Sequence, residues 1–364
     1  MLSHSLDPDA AIRSTDSDAA LARLSAVQKQ YLTDPYIRHL VPRAHFQPPR
    51  PPLINVGTHA RSTAIDGLVD DFMRIAAHSN SGGCQIVSLG AGSDTRFWRI
   101  ATGELGASLV RYIEVDFPEV TTKKAMAIKK SKQLANVLGE PADIKIANGG
   151  TSLHSPRYHL ISADLRQAPE QSLHAALSVP VPGGGLKDDT GPILLPHLPT
   201  LLLFECVLVY MHSDASNALV RWFVDYFHAP NSGEPAPLGA IVYEMFGLQD
   251  PFGQVMLTNM KARSITLPGA VPYPNFASLP SRFLQHGFQH AQALTLRDIR
   301  RKYIRREEVH RTSKLEMLDE LEELELVLAH YAITWGVKVG RISGDSRWAA
   351  WKLQPAPEDR IEED

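Results

Sequence analysis

What the chain lacks narrows the reading first. Only two of its 364 residues are cysteine, Cys84 and Cys206, and neither a disulfide framework nor a zinc site is supported. Each abuts an apolar run, so two buried thiols are expected. The fifteen histidines show no ligand spacing, and no Ser-His-Asp or Cys-His set points to a covalent nucleophile. No metal site is expected. No apolar run is long enough to span a bilayer, and no signal peptide is evident. A formal net charge of −3 gives no global electrostatic case for nucleic acid or an anionic membrane. The expectation is a soluble, cytoplasmic protein, with the nucleus as a second compartment, and a chain long enough to bury a sizeable core.

What is present is concentrated at 85–98, QIVSLGAGSDTRFW. Ile86, Val87 and Leu89 form an apolar run that ends in Gly90-Ala91-Gly92. Asp94 and Thr95 follow where a helix would begin. Strand, tight turn and capped helix make the first unit of a doubly wound α/β sheet. The glycines let backbone approach a ligand, and the helix start offers unpaired N–H groups. The dinucleotide fingerprint needs a third glycine, but Thr95 stands in its place. A second apolar run, 109–115, ends in Asp116, a carboxylate suited to the two hydroxyls of a ribose. This combination favours S-adenosylmethionine over NAD.

The rest of the chain supplies further elements and candidates. Residues 1–20, rich in Ser, Asp and Ala, are expected to be loose. Leu21, Leu24, Val27 and Tyr31 recur at helical spacing, with Arg23 and Lys29 on the same segment; Lys29 reads as a solvated charge. A second helix is predicted over 58–78, with Ile65, Leu68, Val69 and Phe72 inward. Arg61 falls near its start, where a cation opposes the helix dipole and so calls for another reason to be there. After Asp116 a helix opens at Phe117-Pro118. Its Lys123, Lys124, Lys129 and Lys130 are expected on a solvated face.

Residues 158–162 read as a third strand leading to Asp164-Leu165. That pair suits an adenine, with the carboxylate on the exocyclic amine and the aliphatic side chain against the ring. A helix N-cap is an equally good reading of Asp164. Residues 179–199 look like a Pro/Gly-rich insert. TLLLFECVLVY, 200–210, is the most apolar stretch and fits a central strand. Glu205 within it is costly to bury unpaired, so it should face a ligand or a fixed partner. Tyr210 follows at the mouth where open α/β sheets bind ligands. Further helices are predicted over 217–227 and 252–263, with a strand at 240–244. An acidic helix at 315–328 carries Leu318, Leu321, Leu324 and Leu328 on one side, and a last strand is expected within 327–337. The whole reads as one domain over 21–355 with a charged tail at 356–364.

Seven segments occur together and in order: SAVQKQYLTDPYIRHL, INVGTHAR, IVSLGAGSDTRFWR, IEVDFPEV, ISADLR, LLLFECVLVYM and FGQVMLTNM. The set resembles the leucine carboxyl methyltransferases, which methylate the C-terminal leucine of the protein phosphatase 2A catalytic subunit. The resemblance runs from about Leu21 to Trp335. It implies an S-adenosylmethionine-dependent methyltransferase fold, with N-terminal helices and C-terminal additions forming a substrate-side lid. It also implies S-adenosylmethionine as cofactor, S-adenosylhomocysteine as product, the phosphatase catalytic subunit as partner, and a monomer.

Carried over by position, the resemblance implies Gly90 at the turn and Asp116 on the ribose. Asp164 and Leu165 would flank the adenine, with Glu205 near the methionine end and Arg61 on the cofactor carboxylate. Arg23 matches a position that is commonly lysine. Arg61, Arg23 and Tyr210 are the candidates for orienting the acceptor carboxylate. Such a carboxylate has a pKa of about 3.5 and is already ionised, so no general base is needed. Two other readings stand beside this one, a small-molecule O-methyltransferase and a non-catalytic phosphatase-binding module.

Overall fold

Apolar runs covered on both faces become the parallel heart of one sheet. The computed structural model describes residues 7, 9–79, 82–178, 191–227, 235–340 and 346–357. Its strands are β1 (Cys84–Leu89), β2 (Leu109–Asp116), β3 (Lys145–Ala147), β4 (Ser152–His154), β5 (Tyr158–Ser162), β6 (Thr200–Glu205), β7 (Leu238–Met245), β8 (His290–Thr295) and β9 (Tyr331–Lys338). They lie in the order β3-β4-β5-β2-β1-β6-β7-β9-β8. The inner five, β5 to β7, are parallel. The outer pairs on both sides are antiparallel. This is the doubly wound, mostly parallel α/β sheet that the strand–turn–helix pattern implied. The chain order reverses between β1 and β6, and ligands of such sheets bind in the crevice at that switch point.

Apolar clusters cover both faces. One is built on the long helix Pro52–Ala77 and on Phe97, Trp98, Tyr112 and Tyr158. The other is built on Leu219, Phe223 and Phe227. Every residue of β1 and of β7 is buried. The edge strands β3 and β8, and β4 beside β3, are not legible as strands in the sequence. β3 and β4 have three residues each, and β8 is partly exposed along its length. Among the described residues, no helix is long and apolar enough to cross a membrane.

Several expectations are corrected. The N-terminus is not loose to residue 20, because a helix runs over Ala10–Gln28. What orders this Ser/Asp/Ala-rich segment is its acidic side chains rather than an apolar stripe. Asp9 takes Arg166 at 2.6 and 2.8 Å, Asp16 accepts from the Ser93 N–H at 2.7 Å, and Asp18 pairs with Arg263. Residues 1–6 and 8, and 179–190 of the expected insert, lie outside the described residues.

The second helix begins at Pro52, in the first-turn position proline favours, so Arg61 sits in mid-helix. The dipole argument for Arg61 therefore fails. Lys124 is not on a solvated face: it is 4% exposed, and its Nζ lies 2.5 Å from Glu114 Oε2 and 2.8 Å from the Asp94 carbonyl. Lys123, Lys129 and Lys130 are exposed as expected. The acidic helix spans only Leu321–Ala329, with Leu324 and Leu328 buried and Leu321 60% exposed.

Candidate functional site

The site grows from the end of β1. The chain turns through Gly90 at φ 65° and Gly92 at φ 50°, the left-handed region that glycine enters without a steric penalty. A Cβ on Gly90 would stand 2.4 Å from Val207 Cγ2, so the position is closed to any side chain on two counts. The helix after the turn is short, Arg96–Ala101, and its Thr95 side chain makes no capping hydrogen bond. The turn N–H groups are instead taken by acids from elsewhere. Asp116 Oδ2 accepts from Gly92 at 2.7 Å, and Asp16 accepts from Ser93.

The strand ends then deliver the acidic groups. Asp116 closes β2; its Oδ1 accepts from the Phe117 N–H at 2.7 Å. Burial pushes its carboxyl up to about 6, against the lowering effect of the Gly92 and Phe117 N–H groups. Asp164, after β5, accepts from the Arg166 backbone N–H at 3.0 Å and from its guanidinium at 2.9 and 2.8 Å. It is a local turn acid, not the cap of a helix. Burial would raise its carboxyl, yet Arg166 holds it below its ordinary value.

β6 stops at Glu205, earlier than the apolar run suggests. Cys206 adopts φ 55° and Leu208–Tyr210 forms a 3-10 turn. That bend aims both Glu205 and Tyr210 away from the sheet core. Burial pushes both thiols, Cys84 and Cys206, up to about 12, so neither is a thiolate at neutral pH.

A cavity of about 560 Å³ lies over these strand tips. All eight candidate site residues line it. Arg23 and Arg61 come from the N-terminal and long helices, Gly90 from the turn, and Asp116, Asp164 and Leu165 from the ends of β2 and β5. Glu205 and Tyr210 follow β6. Arg23 is 7% exposed and donates to Asp34 at 2.5 Å and to Ser62 at 3.2 Å, so its cation is already matched by a carboxylate. Arg61 is in a different state. Its guanidinium lies 5.2 Å from the Tyr243 ring centroid, and its Nε, 3.6 Å from Glu205 Oε2, has no hydrogen-bond partner among the described residues. Such a cation can accept a carboxylate as a charge-assisted partner.

Three further residues belong to the wall and were not singled out. Arg96 is buried against Asp66, Asp94 and Glu205. Its only signal was its place inside the DTRFWR segment. Tyr243 and Tyr331 stack at 5.4 Å with a 16° interplanar angle, and nothing local distinguishes them from core tyrosines. His59, read as structural, pairs with Glu308 at 2.9 Å. Among the described residues, no three His, Cys, Asp or Glu side chains group as metal ligands.

Residues 11–182 match the family model described as Leucine carboxyl methyltransferase. The chain is similar to leucine carboxyl methyltransferase 1 of Cryptococcus neoformans var. neoformans serotype D, 41% identical over 353 residues, covering 91% of this chain and 94% of that protein. The Emericella nidulans protein of the same name is 36% identical, covering 96% of this chain and 90% of its own. The Bos taurus protein is 34% identical, covering 91% of each.

Proposed function

Since this chain belongs to the leucine carboxyl methyltransferase family, we propose that it uses S-adenosylmethionine to methyl-esterify the α-carboxylate of the C-terminal leucine of the protein phosphatase 2A catalytic subunit. The observation that carries the reading is Arg61, a cation on the cavity wall with an unpartnered Nε, set between the Tyr243 ring and Glu205. A cofactor that ends in both a carboxylate and an ammonium matches that pair of opposite charges. Gly90, held at φ 65° against Val207, carries the turn whose backbone lines the cavity.

Held there, the cofactor supplies an electrophilic methyl group on a sulfonium sulfur. The chain's own residues do the rest. Asp116 retains lone pairs for ribose hydroxyls while its two N–H donors fix the carboxylate plane. Asp164 and Leu165 offer an acceptor and an apolar surface to the adenine. Arg61 binds a carboxylate, and Glu205 takes the ammonium. Tyr210 lines the same cavity and, with Arg23 as a more remote cation, helps orient the acceptor. Met211, Met245 and Ile265, all on the cavity wall, give a leucine side chain an apolar surface and exclude water. Alignment of this kind is worth up to about 7–11 kcal/mol.

Two expected results follow. Calorimetry should show S-adenosylmethionine binding, and labelled methyl should pass to the phosphatase catalytic subunit but not to a version lacking its terminal leucine. Transfer to the truncated subunit or to small acids alone would sink the substrate assignment. Cofactor affinity should also fall as pH drops through about 6, because a protonated Asp116 loses its negative charge toward the ribose hydroxyls. A Kd unchanged between pH 7.5 and 5 in folded protein would remove Asp116 from the ribose.

A further inference from the structure

Arg96 is fully enclosed, with a side chain 3% exposed, and each of its three guanidinium nitrogens meets a different carboxylate. Nε donates to Asp66 Oδ1 at 3.0 Å, from the long helix. Nη1 donates to Asp94 Oδ2 at 2.6 Å, from the turn after β1. Nη2 lies 2.9 Å from Glu205 Oε1, at the end of β6. Asp66 is held in turn by Arg99 at 2.6 and 3.2 Å. The planar fork is thus fixed from two sides before it reaches Glu205.

We propose that Arg96 is a positioning residue. By claiming Oε1 of Glu205 it sets the carboxylate plane and leaves Oε2 for the ammonium of the cofactor's amino-acid end. This rests on the reading of Glu205 above and adds to it the part that makes Glu205 directional. Glu205 needs such a partner. Its own backbone precedes a residue in the left-handed region, it stands 24% exposed at a cavity wall, and Arg61 is 3.6 Å from Oε2, too far to orient it by a hydrogen bond. A lysine cannot reproduce the arrangement, since one ammonium on a flexible stem lacks the rigid three-way fork.

The test compares two ligands that differ only at the amino-acid end. S-adenosylhomocysteine carries the ammonium and carboxylate; methylthioadenosine has the same adenosine and thioether but neither charge. Calorimetry on the full chain should show Arg96→Lys weakening S-adenosylhomocysteine about tenfold while methylthioadenosine stays within about twofold. Glu205→Gln should show the same selective loss, and the double variant should lose little more than either single one, because the two residues act as a unit.

Equal weakening of both ligands, or unchanged S-adenosylhomocysteine binding by folded Arg96→Lys, would overturn the proposal in favour of a purely structural Arg96. If Arg96→Lys does not fold, Asp66→Asn provides the second variant. It loosens the fork at a residue 29% exposed and should give a smaller loss, about threefold, with the same ligand selectivity; an unselective or absent loss there would overturn the proposal as well. A wild type that binds the two ligands equally would overturn the Glu205 reading itself, an outcome recognisable before any Arg96 variant is made.

Discussion

Arg61→Ala is expected to lower kcat/KM for methyl transfer by about 10³-fold, mainly through weaker cofactor binding, within the range for truncating one partner of a buried charge-assisted contact, while the fold stands. The asymmetry follows from the partners. Glu205 keeps Arg96 at 2.9 Å when Arg61 is gone, so no carboxylate is left buried and unpaired. What is lost structurally is the contact with the Tyr243 ring at 5.2 Å, about 1–2 kcal/mol, or a few degrees in Tm. The check is a methyl-transfer assay beside a thermal melt. Near-normal turnover in a folded variant would end the assignment of Arg61 to a carboxylate. Arg61→Lys should recover part of the charge effect but not a two-point contact.

Lys124→Met should destabilise the protein by about 3–5 kcal/mol above pH 7, the range for stranding one member of a buried ion pair, and by less under more acidic conditions. Glu114 is 0% exposed. Its Oε2 receives Lys124 and the Tyr158 hydroxyl, at 2.5 and 2.6 Å, and its Oε1 has no partner among the described residues. Burial pushes its carboxyl up to about 7 even though Lys124 and Tyr158 pull it down.

An unfolded glutamate titrates at about 4.3, so between that pH and about 7 the folded chain keeps a proton that the unfolded chain gives up. The stability Glu114 contributes is therefore full at low pH and is lost as pH rises through about 7. Without Lys124 the carboxyl climbs further and the protonated form covers more of the neutral range. Denaturant melts of both proteins at pH 6 and 8 would show the widening gap. A penalty equal at both pH values would mean that Glu114 ionisation plays no part.

How much was legible differs by residue for a physical reason. Asp116 and Glu205 could be placed because each ends an apolar run, and in a parallel sheet the carboxyl end of a strand is where ligands meet side chains. Gly90 could be placed because a turn at φ 65° admits glycine and little else. Lys124 could not. Its charge placed it among three solvated lysines, and only the packing of its helix on β2 brings it to Glu114. Arg61 was singled out partly for a wrong reason, its supposed place at a helix start. The helix begins at Pro52, and what marks Arg61 is an Nε that makes no hydrogen bond among the described residues and lies 3.6 Å from Glu205 Oε2.

Periodicity, glycine turns and strand-end acids, all features of a few consecutive residues, determined the α/β architecture, the turn after β1 and the acidic groups at the strand tips. Pairing was decided only by the tertiary structure. Arg96 gathers carboxylates from positions 66, 94 and 205, Asp9, Asp16 and Asp18 tie down the Ser/Asp/Ala-rich first half of a helix whose second half packs through Leu21, Leu24 and Val27, and the edge strands exist because a neighbour is there to hydrogen-bond them. A residue's charge is written in its identity. Whether that charge is solvated, neutralised or left waiting for a ligand depends on groups far away along the chain, which come within a few ångströms only when the sheet and its helices assemble.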